Sequence, residues 1–384
     1  MTFKKIISVS HLWLGMASGI IIVFLGITGC ILSFQREIET LQTFRYVEPQ
    51  EQSFLSPSVL KETATRLLPG KTLHSVLYGS KKEAAQMIFY HDLDYYYTIF
   101  MNPYTGKVLK VKNMDKDFFR IIVMGHYYLW LPPNIGQPIV TWATFIFLIL
   151  LITGVVLWWP RNKAATKQRF KIRWNVRWRR RNYDLHNVLG FYITWVAIIL
   201  ALSAMIMGFQ WFAKSVYWVS SGGKTLPAYY EPVSKTVASN KSAISAEDKV
   251  YEIMKAHYTN AETIEVHYAA NDSSAIAAGA NPDASTYWKT DYRYFDQNSL
   301  EEIPVTSLYG RYKNTSVADK LARMNYDIHV GAVLGLTGKI LAFFASLITA
   351  SLPITGFYIW WGKKHNKKKT RNYKIKTREL QEVF

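Results

Sequence analysis

The chain contains one cysteine in 384 residues. Cys30 alone excludes an intrachain disulfide, so any part outside a membrane must be held by packing. Acidic residues are scarce, with 27 Asp and Glu against 46 Lys and Arg and a formal net charge of +19. With 49% hydrophobic and 15% aromatic residues, the composition also excludes a disordered or fibrous chain. Charge is missing altogether from four long apolar runs, Ile6 to Phe34, Ile139 to Trp159, Val188 to Phe212 and Ile340 to Trp361. That absence gives a substrate path through the membrane little support.

Each run has the roughly 20 residues that span a bilayer core, which predicts a polytopic membrane protein. The basic residues are concentrated between and after the runs. Pro160 to Tyr183 carries ten Lys or Arg and no acid, Gly362 to Phe384 carries nine against Glu379 and Glu382, and Lys4 and Lys5 precede the first run. The two long connecting stretches, Gln35 to Asn134 and Ala213 to Asn325, are nearly balanced, with twelve basic against ten acidic and twelve against thirteen. Short basic loops mark the cytoplasmic side. Both termini are therefore expected inside and both long stretches in the periplasm or exterior. The basic runs read as an orientation signal that touches anionic lipid, not as a nucleic-acid surface.

The first and third runs are copies. HLWLGMASGIIIVFLGITGCILSFQ from His11 to Gln35 aligns without a gap on HNVLGFYITWVAIILALSAMIMGFQ from His186 to Gln210. Each opens on a histidine, has Leu-Gly at the third and fourth positions after it, and closes on Phe-Gln. Small residues, Gly26 with Ala201, Gly29 with Ala204 and Ser33 with Gly208, form a stripe that lets a backbone or a flat rigid ligand approach closely. Ile27-Thr28-Gly29-Cys30 after Lys4-Lys5 has the look of a lipoprotein signal. The apolar run continues past Cys30, however, and the second copy aligns along its whole length, so an uncleaved helix is expected.

The copying extends outside the runs. Ser56-Pro57-Ser58 caps a helical pattern through Leu60, Ala64, Leu67 and Leu68. Strand-like Leu73 to Tyr78, Ala85 to His91 and Tyr95 to Met101 follow, then the turn Asn102-Pro103-Tyr104-Thr105-Gly106-Lys107-Val108-Leu109. After the third run, Ser245-Ala246-Glu247 caps a second helix. Thr263 to Ala269, Ser285 to Lys289 and Tyr292 to Phe295 read as strands, leading to the counterpart turn FDQNSLEEI. The return helices repeat as LLITGVVLWWPRNK at 150 to 163 and SLPITGFYIWWGKK at 351 to 364, with Gly154 on Gly356 and Gly136 on Gly338. Val330 to Trp361 is too long for one span, so a break is expected near Gly335 to Gly338, as Pro132-Pro133 breaks the first copy. His126 and His329 then fall on short interfacial segments.

Four of the nine histidines occupy two pairs of equivalent positions, His11 with His186 at the inner face and His126 with His329 at the outer. A histidine at the head of an apolar small-residue face points to haem, which needs one neutral imidazole on each side of the porphyrin. Pairing His11 with His186 and His126 with His329 supplies one ligand from each half, and the spacing leaves other pairings open. The competing role for any one of them is an interfacial side chain reaching to headgroups. His74, His91, His257, His267 and His365 have no equivalents and read as surface or structural residues. Zinc is disfavoured, because no His-x3-His, cysteine or carboxylate companion accompanies the four. Asp184 and Asp327, each two residues before a ligand candidate, could cap a helix or orient the imidazole, with capping the simpler role. The tyrosine runs at 95 to 97, 127 to 128 and 229 to 230 read as strand packing and interfacial belt.

The arrangement, with NPYTGKVL closing the first external module, resembles the PepSY-associated transmembrane helix proteins, which include iron-regulated inner-membrane proteins and ferric-siderophore reductases of Gram-negative bacteria. The resemblance covers essentially the whole chain. It implies an α+β membrane protein, a four-transmembrane-helix bundle built from a tandem duplication with two external PepSY-like modules. The corresponding division is 1–35 (first helix), 36–120 (first periplasmic module), 121–160 (interfacial segment and second helix), 161–185 (basic cytoplasmic loop), 186–212 (third helix), 213–323 (second module), 324–361 (interfacial segment and fourth helix) and 362–384 (basic tail). It further implies two haem b groups on His11, His186, His126 and His329 and a ferric siderophore as substrate; the placement of the basic residues leads to the expectation of no nucleic-acid partner. The cytoplasmic segments are too short for a flavin or nicotinamide domain, so electrons are expected from a membrane quinol or a separate cytoplasmic reductase. Two other readings stand beside this one: a cofactor-free membrane protein regulating periplasmic peptidases, and a siderophore or haem uptake component.

Overall fold

The computed structural model describes residues 2–91, 94–160, 162, 163, 166, 169–235 and 244–381, with side chains described as far as His365 in the last helix. Parts of the basic loop 161–185 and the basic side chains beyond His365 lie outside the described residues. In chain order the main elements begin with α1 (Phe3–Ser33), α2 (Pro57–Leu67), β1 (Leu73–Tyr78), β2 (Ala85–His91), β3 (Tyr95–Met101), β4 (Val108–Asn113), α3 (Phe118–Tyr128) and α4 (Pro133–Trp158). The second half adds α5 (Trp178–Gly208), α6 (Gln210–Ser220), α7 (Ala246–His257), β5 (Thr263–His267), β6 (Ile276–Asn281), β7 (Asp291–Phe295), α8 (Val317–His329) and α9 (Gly335–Gln381). They divide into two compact units. One holds residues 1–33, 123–209 and 329–384; the other holds residues 34–122 and 210–328.

The first unit is a bundle of helices. α1, α4, α5 and the stretch Ala332–His365 are long and apolar enough to cross a membrane, and the chain is a membrane protein of mixed α and β structure. The small residues of α1 bring α9 close. A Cβ on Gly26 would stand 2.8 Å from both the Ala350 Cβ and the Ser346 carbonyl oxygen, and one on Gly29 would stand 2.9 Å from the Ser346 hydroxyl. Here the stripe serves backbone approach between helices.

The third apolar helix differs from its expected bounds. α5 starts at Trp178, because Arg179 to Arg181 and Leu185 are good helix formers and extend it toward the basic loop, and it ends at Gly208 where Phe209 turns extended. As a result His11 and His186 are each the ninth residue of their helix.

The expected breaks before the return helices are present. Leu129 and Trp130 adopt positive φ ahead of Pro132-Pro133. In the second half the break falls slightly earlier than the glycine spacing suggests, with Gly331 at φ +77° and Gly335 at +57°. Gly136 and Gly338 lie directly against the carbonyls of Tyr128 and Gly331, where a Cβ would collide with backbone. His126 on α3 and His329 at the end of α8 therefore sit on short helices separate from the spanning ones.

The second unit gathers both long connecting stretches into one body. Its seven strands form a single sheet in the order β4-β3-β2-β1-β5-β6-β7, with β1 and β5 antiparallel and Val76 opposite Val266. α2 and α7 share one core over this sheet, with Leu60, Val76, Met87, Phe89, Ile99, Val250, Met254, Val266 and Ile276 all at most 1% exposed. The two stretches read separately in the sequence thus complete one another's sheet edge, which removes an unpaired strand in the middle.

The caps differ from expectation in one case. Ser245 accepts from the Asp248 N–H as predicted, but Ser56 makes no capping bond. Instead Asp248 of α7 accepts from the Ser58 N–H at 2.8 Å and the Ser58 hydroxyl at 2.6 Å. A carboxylate from the other half thus holds the positive end of α2. The segment 285–289 forms no strand; its place in the sheet is taken by β6, IAAGAN, whose alanines and glycine carry little strand signal.

Candidate functional site

His11, His126, His186 and His329 all lie in the helical unit, and each Nδ1 meets a hydroxyl on a spanning helix. His11 of α1 lies 2.8 Å from the Thr153 Oγ1 of α4, and His186 of α5 lies 2.9 Å from the Thr355 Oγ1 of α9. His126 of α3 lies 2.8 Å from the Thr28 Oγ1 of α1, and His329 of α8 lies 3.0 Å from the Ser203 Oγ of α5. The partners are themselves equivalent. Thr28 and Ser203 coincide in the gapless alignment of α1 on α5, and Thr153 and Thr355 precede the matched Gly154 and Gly356.

The protonation pattern follows from donor and acceptor counting. Thr153 donates its hydroxyl hydrogen to the Ile149 carbonyl at 2.7 Å, Thr28 to Phe24 at 2.8 Å, Ser203 to Leu200 at 2.9 Å and Thr355 to Ser351 at 2.9 Å. With its hydrogen on that carbonyl, each hydroxyl offers its oxygen to an imidazole N–H. His329 Nδ1 adds a second partner, the Leu200 carbonyl at 3.1 Å, which also requires an N–H. The carbonyl contacts of His329 and, at Leu352, of His186 make those two rings Nδ1–H tautomers with the lone pair on Nε2, and the same tautomer lets His11 and His126 donate to their threonines.

The histidines form two layers. His126 and His329 approach with ring centroids 6.3 Å apart and planes inclined at 55°. His186 lies within electrostatic reach of His11. Along α1, His11 and Thr28 are seventeen positions apart, as are His186 and Ser203 along α5, so the layers are separated by roughly 25 Å at the helical rise. Burial, reinforced by His329, holds the His126 imidazole far below its usual value, at about 3, and burial also lowers His329. Both are neutral, the form that binds metal.

Glycines lie beside three of the rings, and at Gly356 a side chain would crowd the imidazole. A Cβ on Gly154 would stand 3.5 Å from the His11 Cε1, one on Gly356 3.2 Å from the His186 Cε1, and one on Gly29 3.7 Å from the His126 Cε1. The four hydroxyls escaped the sequence reading. The signal available was the tripeptide Ile-Thr-Gly, which occurs three times.

Asp184 and Asp327 neither cap a helix nor orient an imidazole. Asp184 lies well inside α5 and pairs with Arg180 at 3.0 Å. Asp327, fully buried, accepts from the Tyr287 and Trp288 N–H groups. Among the other histidines, His257 and His365 bond to carbonyls one turn back, and His91 meets Asp94. His74 and His267 come together across β1 and β5, 3.2 Å apart. Among the described residues no group of three or more His, Cys, Asp or Glu is arranged to hold a metal ion, so a metal at the paired histidines needs its remaining ligands from a cofactor.

Residues 9–363 match the family model described as the PepSY-associated TM region. A comparison with curated proteins finds no match.

Proposed function

Because the chain belongs to the family of PepSY-associated TM regions, we propose that it is a two-haem, b-type electron-transfer protein of the bacterial inner membrane that reduces ferric iron held by siderophores. The observation that carries this reading is the outer pair of rings. A first-row metal sits about 2 Å from an imidazole nitrogen, itself about 1 Å from the ring centre, so two imidazoles flanking one ion have centroids roughly 6 Å apart. His126 and His329 stand at 6.3 Å. The donor set also fits haem: each imidazole is anchored through Nδ1, which leaves Nε2 for iron, and a porphyrin would supply the other four ligands.

In this reading His126 and His329 hold an outer haem and His11 and His186 an inner one. Bound haem supplies a one-electron couple. The chain's own part is to present neutral imidazoles at fixed orientation, exclude water from the bundle and separate the two sites along the helices. Residues 36–120 and 213–323 are read as PepSY-like modules of a tandem duplication. Support comes from the shared order of helix and strands, the common ninth position of His11 and His186, and the like turns at Gly106 and Leu300, both at positive φ. The distribution of basic residues supports cytoplasmic termini and periplasmic modules.

Reduction of Fe(III) to Fe(II) weakens the hold of hard oxygen donors and frees the metal. The electron comes from a membrane quinol or a separate reductase, since the loop 161–185 is too short for a nucleotide-binding domain. The test is spectroscopic. Full-length protein from haem-replete cells is expected to show the split reduced band of low-spin haem b and to be reoxidised by a ferric hydroxamate siderophore. A colourless protein overturns the haem assignment; a coloured one that a ferric siderophore does not reoxidise overturns the substrate.

A further inference from the structure

The three Ile-Thr-Gly tripeptides, at 27–29, 152–154 and 354–356, lie on three different spanning helices opposite three different histidines. In each, the threonine oxygen lies within 2.9 Å of the imidazole Nδ1 and the next residue is a glycine beside the ring, tight against it only at Gly356. The fourth site departs from the pattern. There the tripeptide is Leu202-Ser203-Ala204; His329 Nδ1 is shared between the Ser203 hydroxyl and the Leu200 carbonyl, as His186 also has the Leu352 carbonyl beside its threonine.

We propose that Thr28, Thr153, Ser203 and Thr355 are positioning residues that fix the four imidazoles and set the reduction potential of the iron each one ligates. The inference rests on the haem reading above and extends it to residues outside the ligand set. An acceptor on Nδ1–H draws the proton away from the ring and makes Nε2 more basic. A more basic ligand favours Fe(III) over Fe(II), so each hydroxyl lowers the potential of its haem. Because both members of a pair carry such an acceptor, both haems are held toward the reducing end, as an electron donor to ferric chelates requires.

The asymmetry at His329 gives the proposal a graded consequence. Thr28→Val removes the acceptor seen at the His126 Nδ1, whereas Ser203→Ala leaves His329 the Leu200 carbonyl. Both belong to the outer pair and report on the same iron. The upward shift in midpoint potential is therefore larger for Thr28→Val than for Ser203→Ala. Thr153→Val and Thr355→Val shift the inner haem upward and leave the outer one in place, the smaller shift being that of Thr355→Val, which leaves His186 the Leu352 carbonyl.

The experiment is redox potentiometry of the full-length haem-loaded protein, read by optical and electron paramagnetic resonance spectra, with haem content measured on the same samples. Thr28→Ser, Thr153→Ser and Thr355→Ser retain the acceptor and are expected to keep the parent potentials, which separates loss of the hydrogen bond from loss of packing. Thr→Val variants that keep both haems and unchanged potentials overturn the proposal and leave the haem reading intact. Thr→Val variants that lose haem while the Thr→Ser variants keep it support the positioning role directly. Equal loss in both series assigns these side chains to packing and also overturns the proposal. A parent protein without haem overturns the function itself.

Discussion

His126 and His329 are 203 positions apart in the chain, yet their rings face one another at 6.3 Å. Each comes from a short helix that ends just before a backbone break, and each is anchored through Nδ1 to a different spanning helix. The two anchors, Thr28 and Ser203, occupy matching positions in the gapless alignment of α1 on α5, so the rings are held from corresponding places on two helices.

This geometry makes the histidine variants non-additive. His126→Ala and His329→Ala should each remove the outer haem, and the double variant should lose no more than either single one. Combining His126→Ala with His11→Ala should empty both sites. Haem quantitation on the purified variants checks this. Full additivity within the outer pair would mean that His126 and His329 serve different irons.

The glycines opposite the inner imidazoles predict a graded steric effect. A methyl at Gly154 meets the His11 ring at ordinary contact distance, 3.5 Å, whereas one at Gly356 meets the His186 ring at 3.2 Å. Gly356→Ala should disturb the inner-site spectrum more than Gly154→Ala. Gly26→Val should do something different. Its Cβ collides with the Ala350 Cβ and the Ser346 backbone, so it should cost about 1–3 kcal/mol of bundle stability, visible as a lower melting temperature with both haem spectra unaltered in shape.

The apolar helices and the four histidines at matching positions were legible because apolar length and a gapless internal alignment are properties of the chain itself. The hydroxyl partners were harder to see. A threonine inside an apolar helix satisfies itself on the carbonyl one turn back, so nothing local marks Thr153 or Thr355 as facing a histidine 142 or 169 positions away. The β6 strand was hidden for a different reason. Ala277, Ala278 and Ala280 are weak strand formers, and they enter the sheet because β5 and β7 flank them. The role of Asp248 at the start of α2 was invisible too, since the bond crosses from one half of the sequence to the other.

Asp327 tests whether a buried acid two positions from a ligand candidate serves the imidazole or the fold. It is fully buried and its oxygens accept from the Tyr287 and Trp288 N–H groups. Asp327→Ala should therefore destabilise the unit containing the sheet by roughly 1–3 kcal/mol for each N–H left without an acceptor. Asp327→Asn keeps one oxygen and should cost less. Thermal melts followed by far-ultraviolet circular dichroism measure the loss. A shift in the outer haem potential with unchanged stability would instead assign Asp327 to orienting His329.

The junction of β1 with β5 makes the sharpest prediction about the architecture outside the helices. If the two long stretches were independent modules, damage to one would leave the other protected. Val76 and Val266 face each other at the junction and are both fully buried in the common core. A carboxylate placed there has no partner and cannot be solvated, a cost of several kcal/mol. Hydrogen exchange on the full-length Val266→Asp protein should therefore show protection falling in β1 and β2 as much as in β5 and β6, because Phe89, Met87 and Val76 lose the same core that Val250, Met254 and Ile276 lose. Exchange confined to residues 213–323 would restore the picture of two separate modules. Exchange spread across both stretches would make the sheet one cooperative body, stable only when both connecting stretches are folded.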